Sequence, residues 1–337
     1  MQVIVVGAGI VGASCAYHLA KAGADVTVLE AGSIGTGASA KSFGWINASF
    51  AETPEYYALR RAAIDRFSEL SSALCLPRVS WKGALWWEDE GEAFEAQWAE
   101  VNARGYEVDL IDAAGFAALE PAVANPPAAC ILGKVEGAAD GAAVARALLA
   151  ACDARVLVGC EVTSVSARSV QTSHGVLTAD HIVVAVGAKS GDLLGLPMDN
   201  QAGLILHTKP VAPVVGHIIM SPDVHFRQDP AGQIVMGEIF SGGGLGDREI
   251  NEFAGEMLGR LRKRLPRVAL DIENVMLGVR PVPKDGLPIV GWVDGVYAAT
   301  MHSGITLGPL MGQLVAAEIL GEQQAILAPF RPTRFDI

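Results

Sequence analysis

The segment Gly7-Ala8-Gly9-Ile10-Val11-Gly12, set directly behind the apolar run Gln2–Val6, constrains the fold more than any other stretch of this chain. The run reads as a buried strand, the glycines as a sharp turn, and the pattern up to Ala22, closed by Gly23, as a helix. A second strand over Asp25–Leu29 then delivers Glu30, 18 residues past Gly12. Strand, glycine turn, helix, strand and acid in this order make a βαβ unit suited to a dinucleotide. Gly7 permits the tight turn, Gly9 lets a pyrophosphate approach the backbone at the positive helix N-terminus, and Gly12 allows the helix to pack closely on the strand. Glu30 can accept both hydroxyl hydrogens of an adenosine ribose, and its charge disfavours a 2′-phosphate, which argues against NADP. The fingerprint alone leaves FAD and NAD both open.

Composition narrows the partners. With 337 residues, 51% of them hydrophobic, and a mean hydropathy of +0.34, the chain can bury a large core and is long enough for two domains. Acidic residues outnumber basic ones 37 to 25, a net charge of −12, which argues against nucleic acid or an anionic membrane as the main partner. Small molecules are the expected ligands. Cys15, Cys75, Cys130, Cys152 and Cys160 form no C-x-x-C pair, so neither a zinc site nor a disulfide frame is expected, and reduced thiols point to the cytoplasm. The sequence as given opens on an apolar strand, so no signal peptide is expected. The apolar run Gly304–Leu320 is interrupted by Gly308, Pro309, Gly312, Gln313 and Glu318 and reads as a buried helix rather than a membrane span.

Further segments carry more of the same chemistry. Ala31 to Trp45 is rich in small residues and offers backbone N–H groups and hydroxyls to a long polar ligand. His181–Val186 is a β-run ended by Gly187-Ala188. Gly278-Val279-Arg280-Pro281 leads through Asp285-Gly286-Leu287-Pro288 to the strand Val296–Ala299, and Thr300-Met301-His302-Ser303-Gly304-Ile305-Thr306 opens the last long helix. With these motifs in place the sequence resembles the D-amino-acid oxidase superfamily of FAD enzymes, in its glycine oxidase and sarcosine oxidase branch.

That resemblance implies an α/β architecture: a Rossmann-type FAD-binding domain, as in the glutathione-reductase-2-like fold, with an inserted substrate domain of mixed β-sheet plus helices. Residues 1–75, 131–200 and 276–337 are expected to bind FAD, and 76–130 with 201–275 to form the substrate domain. By position, Ile10 and Val11 lie against the pyrophosphate, Glu30 on the ribose, and Val162 meets the adenine with its backbone. Phe43, Gly44 and Trp45 lie beside the isoalloxazine, and Ala31, Ser39 and Gly187 join the cofactor-binding set. The stretch Thr300–Thr306, including Met301, Ser303, Gly304 and Ile305, aims helix N-terminal amides at the flavin C2 carbonyl and N1, where charge accumulates on reduction. Lys41 either contacts the flavin or an ordered water, or holds its loop to an acid. Sarcosine oxidase ties its flavin to a cysteine near the Gly-x-Arg-Pro region. This chain has no cysteine after Cys160, so its FAD is expected to be noncovalent.

A flavin oxidises an amine by taking hydride at N5, so the protein has to orient the C–H bond, and an arginine forked onto a substrate carboxylate does this. Arg280 occupies the position that resembles the family's carboxylate-binding arginine. His302 stands where glycine oxidase has a second polar contact and His225 where it has a pocket tyrosine. Both replacements put glycine itself in doubt as substrate. The implied reaction is oxidation of the C–N bond of an amino acid or N-substituted amino acid to an imine and then an oxo acid, with O2 reoxidising the flavin to give H2O2. The alternatives are a dehydrogenase passing electrons to a quinone or partner protein, or a flavin-binding subunit without turnover in a heteromer; a homo-oligomer is also open, and no metal is expected. In the substrate segments, Trp81, Trp86, Trp87 and Trp98 read as core. Ile218–Gly237 reads as two strands joined at Asp229-Pro230-Ala231-Gly232, and Asn251–Leu265 as a helix whose basic end, Arg260 to Arg264, faces solvent.

Overall fold

Gln2–Val6 is apolar along its whole length because it is covered on both faces: Val3 and Val5 join the main core, while Ile4 and Val6 join a second cluster with Val170, Ile182 and Val184. The computed structural model describes residues 1–239 and 247–336. Gln2–Val6 is central in a six-stranded sheet running Ile289–Val293, Val296–Thr300, His181–Val184, Gln2–Val6, Asp25–Glu30 and Arg155–Val158. Its neighbours are parallel except at the Ile289–Val293 edge. The three-stranded meander Val162–Ser166, Ser169–Thr172 and Gly175–Thr178 supplies Val170 to the second cluster.

Helices Ile10–Lys21, Gly141–Ala150 and Gly304–Ile319 supply the main core beside that sheet. The run from Gly304 is thus a buried helix, and among the described residues no helix is long and apolar enough to cross a membrane. It lies very close to the N-terminal helix: a Cβ at Gly312 would stand 2.2 Å from Ser14 Oγ, and that hydroxyl donates to the Pro309 carbonyl at 3.3 Å.

An eight-stranded sheet runs Ile272–Arg280, Gln201–Thr208, Ile234–Ile239, His225–Gln228, Ile218–Met220, Ala84–Trp86, Ala129–Gly133 and Val108–Asp112. One face carries Leu204, Leu206, Phe226 and Met236, which pack with Met257 and Leu261 of the helix Asp247–Arg264. The alternate residues face the nucleotide-binding half, where Trp86, Ile131, Ile218 and Met220 join the main core. Trp86 and Trp87 therefore bury on opposite faces, as a period of two requires. A small sheet of Trp45–Ile46, Gly137–Ala139 and Val79–Ser80 sits with this shared core.

Strand pairing differs from the sequence reading in three places. Ala129–Gly133 pairs with Ala84–Trp86, and Ile272–Arg280 pairs with Gln201–Thr208. The expected boundaries at 131 and 276 therefore cut strands of the large sheet. Ile218–Gly237 holds three strands, because Ser221 closes a turn by donating to the Val224 carbonyl at 2.7 Å. The basic helix end is exposed at Arg262 and Lys263, as expected, and is also tied down: Arg264 pairs with Asp223 at 2.6 Å, Arg260 pairs with Glu238, and Arg262 donates to the Leu270 carbonyl at 2.6 Å. All five cysteines are free thiols.

Candidate active site

The glycine turn is closed by backbone contact. Gly7 adopts φ +102°, and a Cβ on Gly12 would lie 2.0 Å from the Gly7 carbonyl oxygen, so only glycine allows the helix to start this close to the strand. Glu30 ends its strand with Oε2 accepting the Ala8 N–H at 2.9 Å and Oε1 the Gly32 N–H at 2.8 Å. Each oxygen keeps a further lone pair for a ribose hydroxyl. Ser39 Oγ accepts the Ile10 N–H at 3.0 Å. The helix beginning at Ile10 has no acid in its first turn, which suits a pyrophosphate.

A second helix start converges on the same region. Gly304–Ile319 has Ser303 at its N-cap position, no side-chain cap and no acid in its first turn. The Gly304 N–H bonds the His302 carbonyl, and the next two N–H groups, of Ile305 and Thr306, are the ones that can receive negative charge. A Cβ on Gly141 would strike Ile305 Cδ1 and the Ser39 carbonyl oxygen, and one on Gly304 would touch Val11, so the segments expected to bind the cofactor meet here. Thr300 and Met301 lie outside this helix start: both are buried, and the Thr300 hydroxyl is turned to Ser190 at 2.6 Å. Gly187, at φ +58°, has Pro281 as its nearest neighbour.

The segment Trp45–Phe50 is clamped at nearly every polar atom. Thr306 Oγ1 donates to the Trp45 carbonyl and accepts the Asn47 N–H, both at 3.3 Å. The buried Arg60 donates through Nε to the Asn47 carbonyl at 3.0 Å, through Nη2 to Asn47 Oδ1 at 2.5 Å and through Nη1 to the Phe50 carbonyl at 3.3 Å. Tyr106 OH accepts the Ala48 N–H at 3.2 Å and donates to Glu136 Oε1 at 2.9 Å. Glu136, wholly buried, also accepts Trp45 Nε1–H at 2.8 Å and the Ser49 hydroxyl.

Burial pushes the Glu136 carboxyl up to about 7, against the Ser49, Tyr106 and Trp45 donors and the Arg60 charge, which pull it down. The folded state therefore holds a proton that the unfolded chain releases between about pH 4.5 and 7. Glu136 then costs stability as pH rises through that window, in full above it, by roughly 3 kcal/mol. The thermal midpoint of Glu136→Gln relative to the parent is expected to rise between pH 5 and pH 8. A difference independent of pH rejects this.

Arg280 ends its strand opposite Gln201, whose Oε1 accepts Nη2–H at 2.6 Å. Its Nε is buried without a partner, burial lowers its pKa, and no carboxylate among the described residues pairs with it. His302 is open to solvent yet flanked by protein mass, and desolvation followed by the Arg280 and Arg60 charges lowers its pKa to about 4. Arg280 and His302 thus come together, with His302 neutral above pH 5. His225 pairs with Glu88, its Nε2 2.6 Å from Glu88 Oε1. Lys41 and Phe43 lie on the large sheet, where Cβ atoms on Gly278 and Gly237 would collide with them. Val162, half-buried, opens the meander beyond Cys160, whose N–H bonds the Glu30 carbonyl at 2.9 Å.

Residues 2–318 match the family model for FAD dependent oxidoreductase, DAO. This chain belongs to that family. FAD is therefore its cofactor, and it is an oxidoreductase. Similar proteins include glycine oxidase of Pseudomonas putida, 25% identical over 98% of both chains, and D-amino acid dehydrogenase of Methylobacterium nodulans, 28% identical over 97% of both. The crystal structure of glycine oxidase from Geobacillus kaustophilus superposes with a TM-score of 0.86 at 22% identity, covering 99% of each chain. The FAD-family fold expected from the motifs is thereby established.

Several residues of this DAO-family site escaped the sequence reading. Glu136 and Tyr106 carry no motif, and Arg60 looks like an ordinary polar residue of the helix Pro54–Leu74. Arg227 is likewise nearly buried, its Nε donating to the Phe43 carbonyl at 2.6 Å, and desolvation lowers its pKa to about 10. The alternation along His225–Gln228 could have flagged Arg227, since the neighbouring Phe226 takes the opposite face.

Proposed function

We propose that this oxidoreductase oxidises the C–N bond of an amino acid or N-substituted amino acid whose carboxylate is gripped by Arg280. The observation that carries the reading is the Arg280 guanidinium: partly desolvated, short of a carboxylate, and held by Gln201 with one nitrogen left unpartnered. A half-buried cation in that state favours an incoming anion. The two helix starts, neither with an acid in its first turn, and Glu30 fit the phosphates, reduced ring and ribose of noncovalently bound FAD. When bound, FAD supplies the hydride acceptor at N5.

Arg280 holds the acid group so that the carbon bearing nitrogen faces the acceptor, and neutral His302 beside it adds polarity without a second competing charge. The ring can take a hydrogen bond from the substrate amine, which must be unprotonated to release hydride. The product imine hydrolyses to an oxo acid. O2 as final electron acceptor, with H2O2 as product, is part of this proposal.

The test is anaerobic mixing of the yellow holoprotein with D-, L- and N-methyl amino acids. At least one is expected to bleach the flavin band, and matching amines without a carboxylate are expected to bleach it at least about 100-fold more slowly, since they forgo a charge-assisted fork. Equal rates for acid and decarboxylated amine reject the Arg280 reading. Mixing the reduced protein with O2 then separates oxidase from dehydrogenase, slow reoxidation favouring a quinone or protein acceptor.

A further inference from the structure

Glu136 is a fully buried carboxylate with three side-chain donors and no ion-pair partner among the described residues. It stands just ahead of the strand Gly137–Ala139, which pairs with Trp45–Ile46. Burying a carboxylate without an ion-pair partner is costly, and here it costs the fold stability near neutral pH. The donors show where that cost is directed. Two of the three belong to Trp45 and Ser49, and the third, Tyr106, also bonds the Ala48 backbone. An indole has only one hydrogen-bonding atom, its N–H donor. The Glu136 bond at 2.8 Å is therefore the single polar contact that sets how the half-buried ring is turned. Phe50 meets the same ring edge-on at 5.5 Å and leans on Trp86 at 5.4 Å, so a turned indole disturbs an aromatic row.

We propose that Glu136 is a positioning residue of the redox site: it locks the Trp45 indole in the orientation that forms a wall for the isoalloxazine. This rests on the reading that Trp45 lies beside the isoalloxazine. Glu136 touches neither cofactor nor substrate and acts only through Trp45, with Ser49 and Tyr106 keeping the carboxylate in place.

The test compares Trp45→Phe, Glu136→Leu, Glu136→Gln and the double variant W45F/E136L. The readouts are the FAD dissociation constant from titration of apoprotein, the position of the bound flavin's visible band, and the fluorescence of apoprotein. W45F is expected to weaken FAD about tenfold and move the band, the loss of one well-packed contact being of that order. E136L is expected to reproduce both changes, and the double variant to go no further than W45F, within about twofold, as for two residues acting through one contact. E136Q, which still offers an oxygen to the indole N–H while the two hydroxyls turn to accept from its amide, is expected to restore the parent values. In apoprotein, E136L should shift the fluorescence component that W45F removes, and E136Q should not. Should E136L fail to fold, Glu136→Met fills the same space with a more adaptable side chain and takes its place.

Additive effects in the double variant, or an E136L protein with parental band and FAD affinity, overturn the proposal while leaving the flavin wall intact. W45F with unchanged band and affinity overturns the wall reading itself, and Glu136 falls with it.

Discussion

Arg280→Met is expected to leave FAD bound and to lower kcat/KM for the amino-acid substrate by about 10²- to 10⁴-fold, the usual cost of roughly 3–5 kcal/mol for stripping one partner from a desolvated charge pair. The side chain is well placed for so large an effect. Gln201 fixes one nitrogen at 2.6 Å, Nε is buried without a partner, and the surroundings lower the pKa by desolvation, so bulk water screens a bound carboxylate poorly. Arg280→Lys keeps the charge and loses the planar fork, so it is expected to retain FAD and fall between the parent and R280M. Anaerobic bleaching rates against substrate concentration provide the check. An R280M protein within threefold of the parent removes Arg280 from the substrate site.

Gly12→Ala carries the second large effect, this time on the cofactor. The added Cβ would sit 2.0 Å from the Gly7 carbonyl oxygen and 3.5 Å from Ala185 Cβ. The first atom is backbone in a turn already at positive φ, so relief requires opening the turn that presents the Ile10 helix start. The variant is expected to purify with less than about one tenth of the parental flavin, because a pyrophosphate site built of backbone N–H groups is lost when those groups move apart. Gly259→Ala is the control. Gly259 lies in the helix Asp247–Arg264 with open space where a Cβ would go, so the change is expected to leave flavin content unchanged and to favour the helix by about 0.5–1 kcal/mol. Normal flavin content in G12A shows that the steric closure of the turn is not what builds the site.

These two cases also show why some of the site was readable along the chain. Gly7, Gly9, Gly12 and Glu30 lie within one strand–helix–strand unit, where backbone geometry dictates residue type at fixed spacing. Arg280 and the Gly304 helix start could be singled out because each sits in a short motif that resembles the family's. Glu136, Tyr106 and Arg60 were not: they reach Trp45–Phe50 across separations of 91, 58 and 13 residues, through contacts that leave no periodic trace. His225 shows the same limit, since only the fold reveals Glu88 beside it.

Local rules thus sufficed for the nucleotide half and for a dinucleotide as its ligand, because strand burial, turn sterics and helix-terminal charge act over a few residues, whereas FAD and amine oxidation came from the family resemblance. Folding in three dimensions settled where the large sheet begins and ends, which carboxylate lies behind Trp45, and why Arg280 is left without a counter-ion. Those outcomes depend on burial and on long-range pairing, and the energy of a buried charge is set by whatever the rest of the chain brings up against it.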